Sequence, residues 1–184
     1  NAAGDRWNVN WAMSHYLDQG VDPRQVVMGA PLYGYGWSGV QDGGTDGLYQ
    51  PATGLGGGTY GSIDANSTGV YDLWDIYNRL TDQPDLYQRH WDDQAQVPFV
   101  YAPDVEGGLW INYEDIQSMN IKTDYVKANE LGGMMFWQLD GDLRDYDSPD
   151  NVLDFVAEEL LGGPIEGAAG ALTDGPRSEE RRVG

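Results

Sequence analysis

Trp137, Gln138, Asp140 and Asp142 follow closely on one another where a short apolar run ends, and their types suit recognition of a sugar. A flat indole can floor a pyranose ring, and an amide beside it can contact the sugar's polar groups. The run itself, Met134 to Phe136, is preceded by Gly132 and Gly133, which let the backbone pass close to its neighbours. Its length and its bounding turn residues suit a parallel strand covered on both faces. In a β/α barrel the carboxyl end of such a strand is the active-site mouth. The plainer alternative is that Trp137 is a core residue.

A second segment has the same texture. Residues 25–37 run from an apolar Val26-Val27-Met28 start into an exit that alternates glycine with aromatics: Tyr33, Gly34, Tyr35, Gly36, Trp37. Pro31 is best placed where no ladder N–H is needed.

The elements that must position these residues follow from periodicity. Val9, Ala12, Met13, Tyr16 and Leu17 form a helical stripe that stops at Gly20, and Asp22-Pro23 turns the chain into the first strand. Residues 38–69 are rich in Gly, Ser, Thr and Asp, and a short strand is expected around 47–50. A helix is expected over 70–80, then strands over 86–91, 97–102 and 109–113, and a helix over 114–129. Ser148 is read as an N-cap and Pro149 as a first helical residue, opening a closing helix packed by Val152, Phe155, Val156 and Leu160.

The two segments, with the order of elements between them, resemble the carboxyl-terminal part of family 18 glycoside hydrolases, and more narrowly bacterial chitinases that carry an extra α+β insertion. The resemblance covers residues 9–161. It implies an α/β fold class: the C-terminal part of a (β/α)8 TIM barrel, the seventh and eighth strand units, with an inserted small α+β domain. Barrel segments are then expected at 1–37 and 113–161. The insertion at 38–112 forms one wall of a cleft, and 162–176 is a linker. Residues 177–184, Arg-Ser-Glu-Glu-Arg-Arg-Val-Gly, read as translated sequencing adapter and are left out of the fold.

The chemistry implied by the resemblance is substrate-assisted. A glutamic acid protonates the glycosidic oxygen while the substrate's own acetamido carbonyl attacks the anomeric carbon, giving retention; this family is an exception to the two-carboxylate scheme. The family's D-G-x-D-x-D-x-E and M-x-Y-D motifs do not occur in this sequence. They are expected upstream of Asn1, so this chain alone is expected to be inactive and to present unpaired barrel edges.

What the resemblance assigns here is binding. Trp137 matches the tryptophan beneath the sugar at the cleavage subsite. Gln138 follows it where a polar residue contacts substrate, and Tyr33 matches a cleft-lining tyrosine. Tyr35 stands where many relatives have arginine; it can stack and donate one hydrogen bond, but it lacks the guanidinium fork. Tyr60 lies where some relatives place a stacking tryptophan. Plainer readings stand beside these: Tyr33 as core, Tyr35 as a surface aromatic, Tyr60 as an ordinary loop residue. The implied partner is chitin or N-acetylglucosamine oligosaccharides, bound by a secreted, extracellular monomer with no cofactor. Two alternatives share the cleft: a chitinase-like lectin without the catalytic Glu, and a family 18 endo-β-N-acetylglucosaminidase.

Composition bounds the remaining classes. The chain has 184 residues with 7 Trp, 12 Tyr, no Cys and a formal net charge of −20. So acidic a chain is a poor partner for nucleic acid or an anionic membrane, which need a basic surface. Without Cys there is no disulfide framework. His15 and His90 lack neighbours at zinc-ligand spacing, and neither Asp92-Asp93 nor Asp140-x-Asp142 gives a calcium-loop series.

Overall fold

The computed structural model describes residues 6–61, 68–145 and 147–162. The expected linker lies outside these residues beyond Gly162, as does the whole expected adapter segment.

Helix α1 (Val9–Asp18) forms where Val9, Met13 and Leu17 recur on one side, and Asn8 caps it by accepting the N–H of Trp11 at 2.8 Å. A 3-10 turn at Pro23–Gln25 leads into β1 (Val27–Pro31). Then follow β2 (Tyr33–Ser38), β3 (Gly54–Leu55), β4 (Val70–Asp72), α2 (Leu73–Asp82), β5 (Gln88–Asp92), β6 (Val97–Ala102) and β7 (Leu109–Asn112). Helix α3 (Ile116–Ala128), β8 (Gly133–Trp137) and α4 (Val152–Leu161) complete the order.

Two sheets result. β1 and β8 pair in parallel, from Val27 opposite Gly133 to Pro31 opposite Trp137. Parallel pairing needs a long crossover, and everything between Leu32 and Gly132 supplies it. The second sheet is antiparallel, in the order β3-β2-β7-β6-β5, with β4 also paired to β2.

The antiparallel sheet has one core face and one aromatic face. Val100, Ala102, Leu109 and Ile111 face α2, α3 and α4, where they meet Leu73, Ile76, Met119, Val152 and Val156. A fully buried side chain of this size contributes about 2 kcal/mol by leaving water. Tyr71 lies fully buried across β2 because Gly36 has no side chain; a Cβ there would come within 2.4 Å of its ring. On the opposite face Tyr33, Tyr35 and Trp37 continue into Trp110, Phe99 and His90, successive ring centres lying 5.2–6.4 Å apart.

Several expected boundaries move, each for a local reason. The aromatic exit at 33–37 is itself a strand, not a loop, since Tyr35 pairs with Val70 on one side and Asn112 on the other. No strand forms at 47–50: Asp46, Gly47 and Tyr49 have φ of 52°, 76° and 61°, a left-handed backbone that makes turns. His90 and Tyr49 pin this loop, through Asp46 at 3.1 Å and Asp92 at 3.0 Å respectively. Val70 and Tyr71 pair with β2, so α2 starts later than expected. The strand expected at 86–91 is displaced because the N–H groups of Leu86 and Tyr87 bond the Gln83 carbonyl in a turn. Ser148 does not cap α4; Asn151 does, accepting the N–H of Asp154 at 3.1 Å. Ser148 accepts instead from Asp150 N–H, within a turn that also holds Pro149. The expected covering of the parallel strands on both faces is also corrected. Among the described residues Met28 and Ala30 are buried, but Val27 and Met135 are about half exposed.

Candidate functional site

The site is built around Leu32, the single residue between β1 and β2. Its N–H donates to the Trp137 carbonyl at 2.8 Å, and its own carbonyl accepts the N–H of Leu73 at 3.0 Å. The end of β8, the start of β2 and the first turn of α2 therefore meet at one buried residue. Gly141, just beyond β8, approaches so closely that a Cβ would lie 2.4 Å from the Leu32 carbonyl oxygen.

Trp137 ends β8 with its side chain 65% exposed, and Gln138, joined to it by a cis peptide, is exposed as well. The indole stands open at the carboxyl end of a parallel strand. Tyr33 and Tyr35 lie on the same face of β2, edge to face at 5.5 Å. Burial, and then a hydrogen bond to Tyr35, hold the Tyr33 phenol above its usual range. Tyr35 is about half exposed, and its N–H donates to Asn112 Oδ1 at 2.8 Å.

Tyr33 also faces Asp72 across the β2–β4 ladder, and Asp72 draws in the residues that the sequence left scattered. Its Oδ2 accepts the indole N–H of Trp74 at 3.1 Å. The same carboxylate lies near the exposed Tyr60 and holds its phenol above the usual range. Thr59 fixes the backbone by accepting Asp72 N–H at 2.8 Å and donating to Asp75 at 2.9 Å. The Arg144 guanidinium stands 4.4 Å over the Trp74 ring, within cation–π range.

All five residues singled out in the sequence thus lie around one junction. Trp137 and Gln138 stand on one side, Tyr33 and Tyr35 on the other, and Tyr60 joins through Asp72. Asp72, Trp74, Thr59 and Arg144 were missed. Trp74 passes as a core position of an amphipathic helix. The one available signal was Arg144, the lone cation in the acidic run 140–150.

Chemically, this arrangement offers exposed aromatic faces edged by amide, phenol and carboxylate groups, which suits a polyhydroxylated ring. Asp142 is tied into the fold. Burial pushes its carboxyl up, against the pull of the amides of Leu153, Leu143 and Val152, whose N–H groups bond its oxygens at 2.8–3.3 Å. It holds the start of α4. Among the described residues, no group of three His, Cys, Asp or Glu side chains is placed to hold a metal ion. His15 stacks on Trp11, and His90 on Phe99. No helix among the described residues is long and apolar enough to cross a membrane.

Fold and site define a mixed α/β protein with an aromatic, carboxylate-edged surface where two sheets meet. The profile of glycosyl hydrolases family 18 matches residues 1–142, and the chain belongs to that family. It is 39% identical to Chitinase A1 of Niallia circulans over 136 residues, which is 74% of this chain and 18% of that protein. Chitinase ChiA74 from Bacillus thuringiensis superposes with a TM-score of 0.75 at 36% identity, covering 85% of this chain and 26% of that one. Human YKL-39, described as a pseudo-chitinase with retained chitooligosaccharide binding, superposes with a TM-score of 0.63 at 26% identity, covering 89% and 38%. The chain therefore spans less than two fifths of the length of each of these relatives.

Proposed function

We propose that this chain is part of a chitinase that hydrolyses β-1,4-linked N-acetylglucosamine polymers by substrate-assisted, retaining catalysis, and that it supplies part of the substrate cleft. The observation that carries the reading is the largely exposed Trp137 at the carboxyl end of β8, beside the aromatic strand that opens at Tyr33. In this reading β1 and β8 are the seventh and eighth strands of a (β/α)8 barrel, and the antiparallel sheet with α2 is the lobe inserted between them. The half-exposed Val27 and Met135, on strands with free edges, are what such a piece would present. Trp137 floors the sugar at the cleavage subsite. Tyr33, Tyr35, Gln138 and Tyr60 line the cleft, with Asp72 accepting hydrogen bonds from sugar hydroxyls. The general acid is a glutamate absent from this sequence, so the chain alone binds without turning over. The protein acts outside the cell as a monomer.

One observation favours a second reading, a binding protein without activity: the match to YKL-39, which is described as retaining chitooligosaccharide binding as a pseudo-chitinase. Sequencing outward from the DNA that encodes this chain separates the two. An upstream D-G-x-D-x-D-x-E makes the protein a chitinase, and the same motif with its last residue replaced makes it a lectin. Finding no barrel upstream overturns both.

A further inference from the structure

Two cavities outside the Trp137 junction form one trough. The nearer, about 290 Å³, begins at Trp74 and Arg144, and the farther, about 590 Å³, ends at Arg89 and Gln117. They share Tyr77, Thr81 and Asp150, so they are continuous along helix α2. The near end abuts the candidate site, because the Trp74 indole is bonded to Asp72. We propose that this trough is a second binding groove, taking the neutral oligosaccharide chain that leaves the cleft past Asp72. The inference rests on the proposed carbohydrate-binding function.

The lining suits such an occupant. Tyr77 and Tyr113 cross edge to face at 6.4 Å beneath it. Burial pushes both phenols well above their usual range, so both hydroxyls keep their protons. At the far end Arg89 donates to Asp115 Oδ2 at 2.7 and 2.9 Å and to Gln117 Oε1 at 2.9 Å. These bonds use Nε and Nη2 of Arg89 and Oε1 of Gln117, and they leave Arg89 Nη1 and the Gln117 amide nitrogen to donate to sugar hydroxyls. Two arginines, Arg89 and Arg144, stand against three aspartates, Asp115, Asp145 and Asp150, which leaves one net negative charge and disfavours an anionic occupant. The farther cavity alone falls within the roughly 300–1,000 Å³ typical of ligand sites.

Titration calorimetry of the intact protein with the trimer and hexamer of N-acetylglucosamine tests this. Thr81 is exposed, and its hydroxyl bonds only carbonyls of its own helix, Tyr77 and Asn78. Thr81→Trp should therefore fill the trough where the cavities join without removing a tertiary contact. It should weaken the hexamer by about fivefold or more and leave the trimer unchanged, whereas Trp137→Ala should weaken both. Gln117→Ala, which adds no bulk, should weaken only the hexamer. If Thr81→Trp and Gln117→Ala both leave the hexamer within about twofold of wild type while Trp137→Ala weakens both ligands, the groove is refuted and the cleft stands. If Trp137→Ala changes neither ligand, the cleft reading fails, and the groove inference with it.

Discussion

The carbonyl oxygen of Trp137 accepts the backbone N–H of Leu32 at 2.8 Å, one bond past the last register pair of the parallel strands. This bond sets the exposed indole against the start of the antiparallel sheet. The Leu32 carbonyl, bonded to Leu73, sets the same point against α2. The spacing between Trp137, Tyr33 and Asp72 is therefore held by backbone hydrogen bonds, which resist side-chain substitution.

Gly141→Ala should disturb that junction. Its Cβ would meet the Leu32 carbonyl oxygen at 2.4 Å, and a backbone atom cannot swing aside. Overpacking of this kind costs roughly 1–3 kcal/mol. The control is Gly54→Ala, whose Cβ meets only Ser38 Oγ at 3.4 Å. Urea denaturation of both variants is the measurement, and equal midpoints would show that the Leu32 contact does not constrain the site.

Asp72→Ala should release Tyr60 and Trp74 together. Loss of this acceptor beside the site should weaken binding of N-acetylglucosamine oligomers by about tenfold, or ~1.4 kcal/mol. The Tyr60 phenol, held up by this carboxylate, should fall back toward about 10. Tyrosine ring-carbon NMR across an alkaline titration reads that shift directly. An unmoved Tyr60 would mean that Asp72 does not hold it.

Asp142→Asn should change how stability depends on pH. Burial raises the folded carboxyl above its unfolded value of 3.8. The folded state therefore binds the proton more tightly, and this group's stabilisation is complete below 3.8 and lost as pH rises through the folded value. Asparagine does not titrate there. The stability of the variant relative to wild type should therefore rise with pH across that acidic window, as read by urea midpoints at each pH. A constant difference, or one that falls as pH rises, contradicts this account of Asp142.

Much of the framework was legible before any coordinates. The strand at 97–102 has the ends its apolar run implies, and α1 follows its stripe of Val9, Met13 and Leu17. Trp137 was legible as an exposed strand end because an aromatic between an apolar run and acids is a local pattern. Asp72 was not, because it falls inside the helix expected over 70–80, where an acid reads as one more solvated side chain. Here its carboxylate makes no cap bond and instead accepts the Trp74 indole.

The sequence by itself determined most of the elements, the aromatic and acidic residues available to a ligand, and the family. Only the tertiary structure decided that residues 25–37 break at Leu32 into strands of two different sheets, and that Tyr33 faces Asp72. It also brought Tyr60 near that carboxylate and opened a trough between α2 and β5. The physical reason is range. Periodicity records which face of an element leaves water, a property of neighbours in the chain. The partner that covers that face is chosen by hydrogen bonds and packing between residues far apart in sequence, such as Leu32 and Trp137.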